Sequence, residues 1–351
     1  MSAFGNRAQW VAKPLVDVAT LQRGYDLPVQ DRTAGPHPIF AANGPVGLHG
    51  SAKCKGPGVV TGRSGTIGKV HFVKEDYWPL NTSLYVKDFH GNDPKWVYYM
   101  LQSFGLEQYS QGAGVPTLNR NLVHGEPVKV PPVEAQRRIA AILDQAETLR
   151  TQRRAALAQL ESLAQSLFLD MFGDPVTNPK FSAGTIRQFV EANSGKSAKL
   201  VLSEFPTDIP IYGGNGINGW ATTSLYEQPV LVFGRVGQQC GNAFITEGPS
   251  WVTDNAIVIR ITDASKLIVK YVLHAFQGSD FSDRVKHLDL PFINQGMILD
   301  NPIPIPPLAL QQTFATRIEA IEALKATHRA ALAEFDALFA SLQQRAFAGE
   351  L

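Results

Sequence analysis

The residues of this chain best placed to do chemistry lie in short glycine-rich stretches, and each stretch can be tested against the reaction it evokes. Gly214-Asn215-Gly216-Ile217-Asn218-Gly219 fits G-x-G-x-x-G. A dinucleotide site needs that motif to follow a strand and open a helix, so that the pyrophosphate meets the helix N-terminus. Trp220-Ala221-Thr222-Thr223-Ser224 follows instead, which is no helix start, and turn glycines explain the stretch. Gly195-Lys196-Ser197 ends like a P-loop, but Val190 stands where the first glycine of the phosphate cradle belongs. Gly62-Arg63-Ser64-Gly65-Thr66 approaches a nucleophile elbow, but Thr66 replaces its last glycine. The equivalent of Ser64 further along the chain is Val236, which argues against a serine nucleophile. The eight histidines have no metal-ligand spacing. Cys54 and Cys240 lack a sequence neighbour that would favour a thiolate, and two cysteines make neither a disulfide framework nor a four-ligand zinc site. No Asn/Asp-Pro-Pro-aromatic motif of an amino-methyltransferase is present.

A non-catalytic pattern survives these tests. Val59 to Val70 reads as two strands around the turn Gly62-Arg63-Ser64-Gly65-Thr66-Ile67-Gly68-Lys69, and Leu231 to Ala243 repeats the plan around Gly234-Arg235. Glycine there permits positive φ and close backbone approach. An arginine held on such a turn can reach a phosphate or a guanine edge; alternatively it closes an internal ion pair within a hairpin. Candidate DNA contacts are Arg63, Ser64, Lys69 and Asn43 in the first copy, and Arg235 and Asn215 in the second. All six fall on expected loops beside strands.

The elements that position these residues are written twice. Gly24 matches Gly195 at an offset of 171; Asn43-Gly44 matches Asn215-Gly216 and Gly62-Arg63 matches Gly234-Arg235 at 172; Trp78 matches Trp251 at 173. Asn119 with Asn294, Pro131-Pro132 with Pro306-Pro307, Gln136 with Gln311, and the pentapeptide 154–158 with 329–333 all match at 175. The offset only grows, as small loop insertions would make it. Such a repeat dictates the fold more than any local motif does.

Each repeat has two parts. Residues 1–132 and 174–307 are rich in Gly, Pro, Asn and short β-branched runs. Strands are expected at Val59–Thr61, Val70–Val73, Leu84–Val86, Pro229–Phe233 and Ala256–Ile259, with short helices at Trp96–Phe104 and Ile268–Phe276. Residues 133–172 and 308–347 hold no Gly or Pro, and Pro-Pro precedes each run. Helices of about 60 Å are expected at 1.5 Å per residue. Their apolar stripes alternate three and four: Ile139, Leu143, Ala146, Leu149, Ala156, Leu160, Leu163, Leu167, Met171 in one, and Phe314, Ile318, Ile321, Leu324, Ala331, Phe335, Leu338, Leu342, Ala346 in the other. That is coiled-coil spacing. Arg153 and its mate His328 interrupt the stripes, either to set register where they meet or simply to face solvent or a partner. The expected architecture is mixed α/β: two globular domains (1–132 and 174–307) and two spacer helices (133–173 and 308–351), antiparallel under an internal pseudo-two-fold repeat.

Composition narrows the function. The chain has 351 residues, 18% charged and 44% hydrophobic, enough apolar matter for more than one core. No apolar run reaches membrane-span length, and the first ten residues lack a secretory-signal pattern, so a cytoplasmic protein is expected. The net charge of +1 excludes a polycation. The two globular parts differ, with 13 Lys+Arg against 9 Asp+Glu in residues 1–132 and 10 against 12 in residues 174–307. One repeated scaffold thus carries two unlike surfaces.

In this order and duplication the chain resembles the specificity subunit of type I restriction–modification enzymes. The resemblance rests on Gly-Arg-Ser-Gly-Thr-Ile-Gly-Lys at 62–69, Val-Pro-Pro at 130–132, Gln136-Arg137-Arg138-Ile139, and Ile305-Pro306-Pro307 with Gln311. Ala135 and Leu310 depart from the Glu that often precedes the helix Gln, and the second glycine turn carries an extra residue. The resemblance implies two target recognition domains that read the halves of a bipartite, asymmetric double-stranded DNA site. It implies an antiparallel coiled coil that docks two modification subunits, with restriction subunits joining indirectly. It implies no catalysis and no cofactor in this chain: S-adenosylmethionine belongs to the methyltransferase subunits, and ATP and Mg to the restriction subunits. The competing reading is a coiled-coil scaffold with two protein-binding domains.

Overall fold

The computed structural model describes residues 10–351 apart from 113, 176, 238–239, 279–280, 282–284 and 286–290. The chain forms two compact units, Met1–Arg154 with Ala330–Leu351, and Ala155–Arg329. Each unit therefore owns one globular part and one portion of each long helix.

In the first unit, Thr20–Arg23, Ser83–Asp88, Gly58–Gly62 and Val70–Val73 form a four-stranded antiparallel sheet in that order. A smaller sheet sets the hairpin His37–Ala41/Gly44–His49 beside the parallel strand Trp78–Pro79. The second unit repeats both sheets. Val190–Ser194, Ala256–Ile261, Leu231–Gly234 and Ala243–Ile245 make the antiparallel one. Leu202–Ser203, Gly216–Ala221, Pro210–Gly213 and Trp251–Val252 make the smaller one. The irregularities repeat too. Ile39 pairs in parallel with Trp78, and Ile211 with Trp251; a register shift follows Ile39 in one hairpin and Ile211 in the other. The expected strands and the short helices Pro94–Ser103 and Val269–Gln277 are all present.

The long helices are continuous over Val133–Phe172 and Leu308–Ala348. Each merges with the globular core beside it. In the first unit Ile139, Leu143, Ala146, Phe339 and Ala346 join Leu21, Val59, Leu84, Trp96 and Tyr99 in one buried cluster. In the second, Ala164, Phe168, Phe172, Phe314, Ile318 and Ile321 join Leu231, Phe233, Ile257 and Tyr271. Burying each large side chain contributes roughly 1.5–3 kcal/mol. The early residues of one helix meet the late residues of the other within each unit, so the pair runs antiparallel.

The seam departs from the expected stripes. Leu163, Leu324 and Leu338 are 51%, 52% and 47% exposed, while Ala164, Phe168, Phe172 and Phe339 are buried. The globular parts cover a wider arc of each helix than a two-stranded seam would, which moves the buried face off the strict heptad. Charged residues sit in the seam at places the stripes did not reveal. In the first unit Arg150 bonds both Glu147 and Asp336. In the second unit Lys325, buried, bonds both Glu322 and Glu161. Three pairs of positions, Arg150 with Lys325, Glu147 with Glu322 and Glu161 with Asp336, are each separated by the repeat offset of 175. Arg153, in the first unit, places its guanidinium 5.8 Å from the centre of the Phe335 ring.

Gln136 and Gln311 anchor each helix start. Gln136 is buried; its Oε1 accepts from Asp93 N–H (2.8 Å), and its Nε2 donates to Asn92 Oδ1 (2.8 Å) and Pro131 O (2.9 Å). Gln311, also buried, accepts from Ile268 N–H (2.9 Å) and donates to Lys266 O (2.8 Å) and Pro306 O (2.9 Å). The motif glutamine thus ties the long helix to the start of the short helix in its own unit.

Candidate nucleic-acid interface

Backbone bonds, not side-chain chemistry, build the surface around the Gly-Arg turn. In the first unit Arg63 N–H and Ser64 N–H both donate to Thr82 O, at 2.9 and 3.1 Å. Gly65 N–H then donates to Pro116 O (2.9 Å) and Leu118 N–H to Arg63 O (2.8 Å), closing a β-bridge between Ser64 and Thr117. In the second unit Arg235 N–H donates to Asn255 O (3.1 Å), Gly237 N–H to Pro291 O (3.3 Å) and Ile293 N–H to Arg235 O (3.0 Å). The bridge there joins Val236 and Phe292. Two segments more than 50 residues apart meet identically in both units.

Glycine is required at these turns. Gly65 and Gly237 have φ of 89° and 84°, and Gly68 and Gly241 have 90° and 85°. The extra residue of the second copy therefore falls between matched glycines, at 238–240, and Gln238 and Gln239 lie outside the described residues. A Cβ on Gly62 would lie 1.6 Å from Thr66 O, so the turn closes only around glycine.

The hairpin tips carry the asparagines to the same place. A Cβ on Gly62 would also lie 3.3 Å from Ala42 O, next to Asn43, and a Cβ on Gly214 would lie 3.6 Å from Arg235 N, next to Asn215. Asn43 and Asn215 are exposed at their tips. The fold thus brings Asn43 beside Arg63 with Ser64, and Asn215 beside Arg235. Lys69 is exposed and opens onto a cleft of about 460 Å³ shared with His71, Arg150 and Arg154.

The two arginines differ in freedom. Arg63 is half-buried and its Nη1 donates to Asn81 O (3.3 Å), a backbone tether in place of the internal ion pair weighed from the sequence. Arg235 is exposed and borders a cavity of about 240 Å³ with Ser194, Asn294 and Gln295. Burial, then the charge of Lys69, holds the His71 imidazole below its usual range, so His71 is neutral near pH 7. His124 is also held down, by burial first and Arg120 next; its Nε2 accepts from Leu21 N–H (3.1 Å). Burial raises the Cys240 thiol, whose Sγ donates to Arg235 O (3.2 Å), so it supports the turn as an unreactive group.

Sequence reasoning missed Thr117, Phe292, Asn294 and Gln295 as members of this surface. Their signal was the Asn119/Asn294 match. Each Asn caps a short helix, accepting from Asn121 N–H (3.1 Å) and Met297 N–H (2.9 Å) respectively. In the dinucleotide-like stretch Gly214–Gly219, Gly214 and Asn215 form a hairpin turn and Gly216 to Gly219 belong to its second strand. Among the described residues no cluster of His, Cys, Asp or Glu could hold a metal, and no helix is long and apolar enough to cross a membrane.

Comparison with known proteins places these features. The family model of the type I restriction modification DNA specificity domain matches twice, over residues 8–161 and 180–334. The chain is 30% identical over 114 residues to the type I restriction enzyme EcoprrI specificity subunit of Escherichia coli; the match spans 32% of this chain and 28% of that protein. In fold it is similar to the S subunit of a type I restriction-modification system from M. genitalium, with a TM-score of 0.72 and 15% identity over 99% of this chain and 97% of that one. A second solved structure, from work on complex assembly and conformational transition of the type I R-M system, aligns with a TM-score of 0.53 and 16% identity over 98% of both chains. With its repeated sheets, paired long helices and two family matches, the chain belongs to the type I restriction–modification DNA specificity family.

Proposed function

We propose that each unit reads one half of a bipartite, asymmetric double-stranded DNA target, and that the long helices carry two modification (methyltransferase) subunits, through which restriction subunits join. The chain contributes no reaction of its own. S-adenosylmethionine is bound by the modification subunits, and ATP and Mg by the restriction subunits, in the cytoplasm where the host DNA lies. One observation carries this reading: the same Gly-Arg turn and Asn hairpin tip recur in both units, surrounded by different side chains. Shared residues suit the shared task of holding a phosphate backbone, and unlike neighbours suit different sequences. Two linked readers gain affinity by avidity, with no new contact needed.

The test is methylation mapping in cells that express the chain with its modification subunits. Modified adenines should fall in one interrupted, asymmetric motif. Purified complex should bind that motif with an affinity that drops steeply as salt rises, through counterion release. A scaffold for proteins would give neither result. Helix length sets the gap between half-sites. Adding one turn (about 5.4 Å) to both long helices should therefore widen the unread gap by one or two base pairs, since DNA advances about 34 Å per turn of 10 pairs. An unchanged gap would remove that part of the proposal.

A further inference from the structure

We infer that the residue pair at the β-bridge after each Gly-Arg turn discriminates bases, and that in the second unit this pair, Val236 and Phe292, contacts the C5-methyl group of a thymine. The inference rests on the reading that the units bind DNA, and it names the residues that make them different.

The backbone frame around the bridge is the same in both units. The arginine carbonyl accepts from Leu118 N–H or Ile293 N–H, and the following glycine N–H reaches a proline carbonyl, Pro116 or Pro291. On that frame the bridge partners differ completely in chemistry: Ser64 with Thr117 in the first unit, Val236 with Phe292 in the second. Residues opposite one another across an antiparallel bridge project from the same face, so each unit presents its pair together. Val236 is 54% exposed and Phe292 51%, so the second pair holds apolar surface in water beside Arg235. Closing the bridge does not require that, because Ser64 and Thr117 close the same one with hydroxyls.

An exposed apolar pair next to a cation and two amide side chains, Asn215 and Asn294, matches one feature of the major groove. Thymine alone presents a methyl group there, and apolar side chains select it, whereas hydroxyls pair with donors or acceptors. An arginine common to both units fits the sequence-independent contact to phosphate.

The experiment uses the full chain assembled with its modification subunits, bound to its methylation motif and to copies in which each thymine in turn is replaced by deoxyuridine. For the unaltered complex, one replacement in a single half-site should weaken binding about fourfold, the effect of losing one buried methyl (~0.8 kcal/mol). In V236S/F292T that ratio should fall to one, while the other half-site and binding to unrelated DNA stay unchanged. F292L, which keeps an apolar side chain, should retain the ratio, and matching thermal melts establish that the variants fold. The exchange S64V/T117F should create a new thymine-methyl dependence in the other half-site. Equal binding of thymine and uracil targets by the unaltered complex overturns the inference, as does persistence of the ratio in V236S/F292T. Loss of subunit assembly in V236S/F292T with the ratio intact also overturns it, and assigns the pair to a protein contact. Failure of the unaltered complex to bind any DNA would instead sink the underlying reading.

Discussion

Replacing Gln136 by leucine removes a buried amide that makes three hydrogen bonds, with Asp93 N–H, Asn92 Oδ1 and Pro131 O, at 2.8–2.9 Å. Leucine fills nearly the same space, so the cavity cost is small. The Asp93 N–H and the Pro131 carbonyl lose a partner where water does not reach, because Gln136 is only 1% exposed. A buried polar group left unpaired costs about 1–3 kcal/mol, so two of them give about 2–6 kcal/mol. Asn92 loses the donor to its Oδ1, but it is only half-buried, so water can replace that donor and the loss adds little. The assay is urea denaturation of the full chain by circular dichroism, with hydrogen exchange to localise the loss. The two units need not unfold together, so the transition of the affected unit is the quantity compared. Gln136→Leu should lower that of Met1–Arg154 with Ala330–Leu351, and Gln311→Leu should lower that of Ala155–Arg329 by a similar amount. A stability within 0.5 kcal/mol of the unaltered chain (about the spread of an ordinary surface substitution) would refute the anchoring argument.

Other perturbations test other parts of the structure. Burial holds the His274 imidazole down at about 4; Glu322 and Glu161 oppose it with smaller effects, and Lys325 adds to it. The unfolded residue titrates near 6.5, so the unfolded chain takes up the proton first; stability is full above pH 6.5 and falls by about 3 kcal/mol as pH drops to 4. His274→Phe should flatten that segment of the stability–pH curve, and an unaltered slope would contradict it. Lys325→Met should cost under 1 kcal/mol because Glu161 and Glu322 keep access to water, whereas Glu161→Gln with Glu322→Gln strands the buried ammonium and should cost about 3 kcal/mol by thermal melt. Gly62→Ala puts a methyl 1.6 Å from Thr66 O and should open the turn, abolishing recognition of one half-site in a binding assay while the other is still read. Arg63→Ala should weaken binding by about 1–3 kcal/mol if it touches a base, and uniformly over sequences with a shallower salt slope if it touches phosphate; unchanged affinity removes it from the interface.

Much of this architecture is legible in one dimension. The long helices follow from forty residues without glycine or proline at three-and-four spacing, and the short helices and several strands from their flanking turns. The repeat offsets foretell that both units share a frame, including the asparagine hairpin tips and the glycine turns. The exposed Leu163, Leu324 and Leu338 mark where periodicity misled, because a heptad stripe assumes one partner and each helix here also packs against a globular core. Lys325 was hidden for a related reason: its partner Glu161 is 164 residues away.

Composition and spacing therefore decide which segments are helix, strand or turn, since those preferences act within a few residues. Tertiary packing decides that Thr117 meets Ser64, that Phe292 meets Val236, and that Asn43 stands beside Arg63. Those meetings depend on β-register and sheet order across about 20 to 56 residues, where many pairings are locally equivalent and only the burial of the whole core selects one.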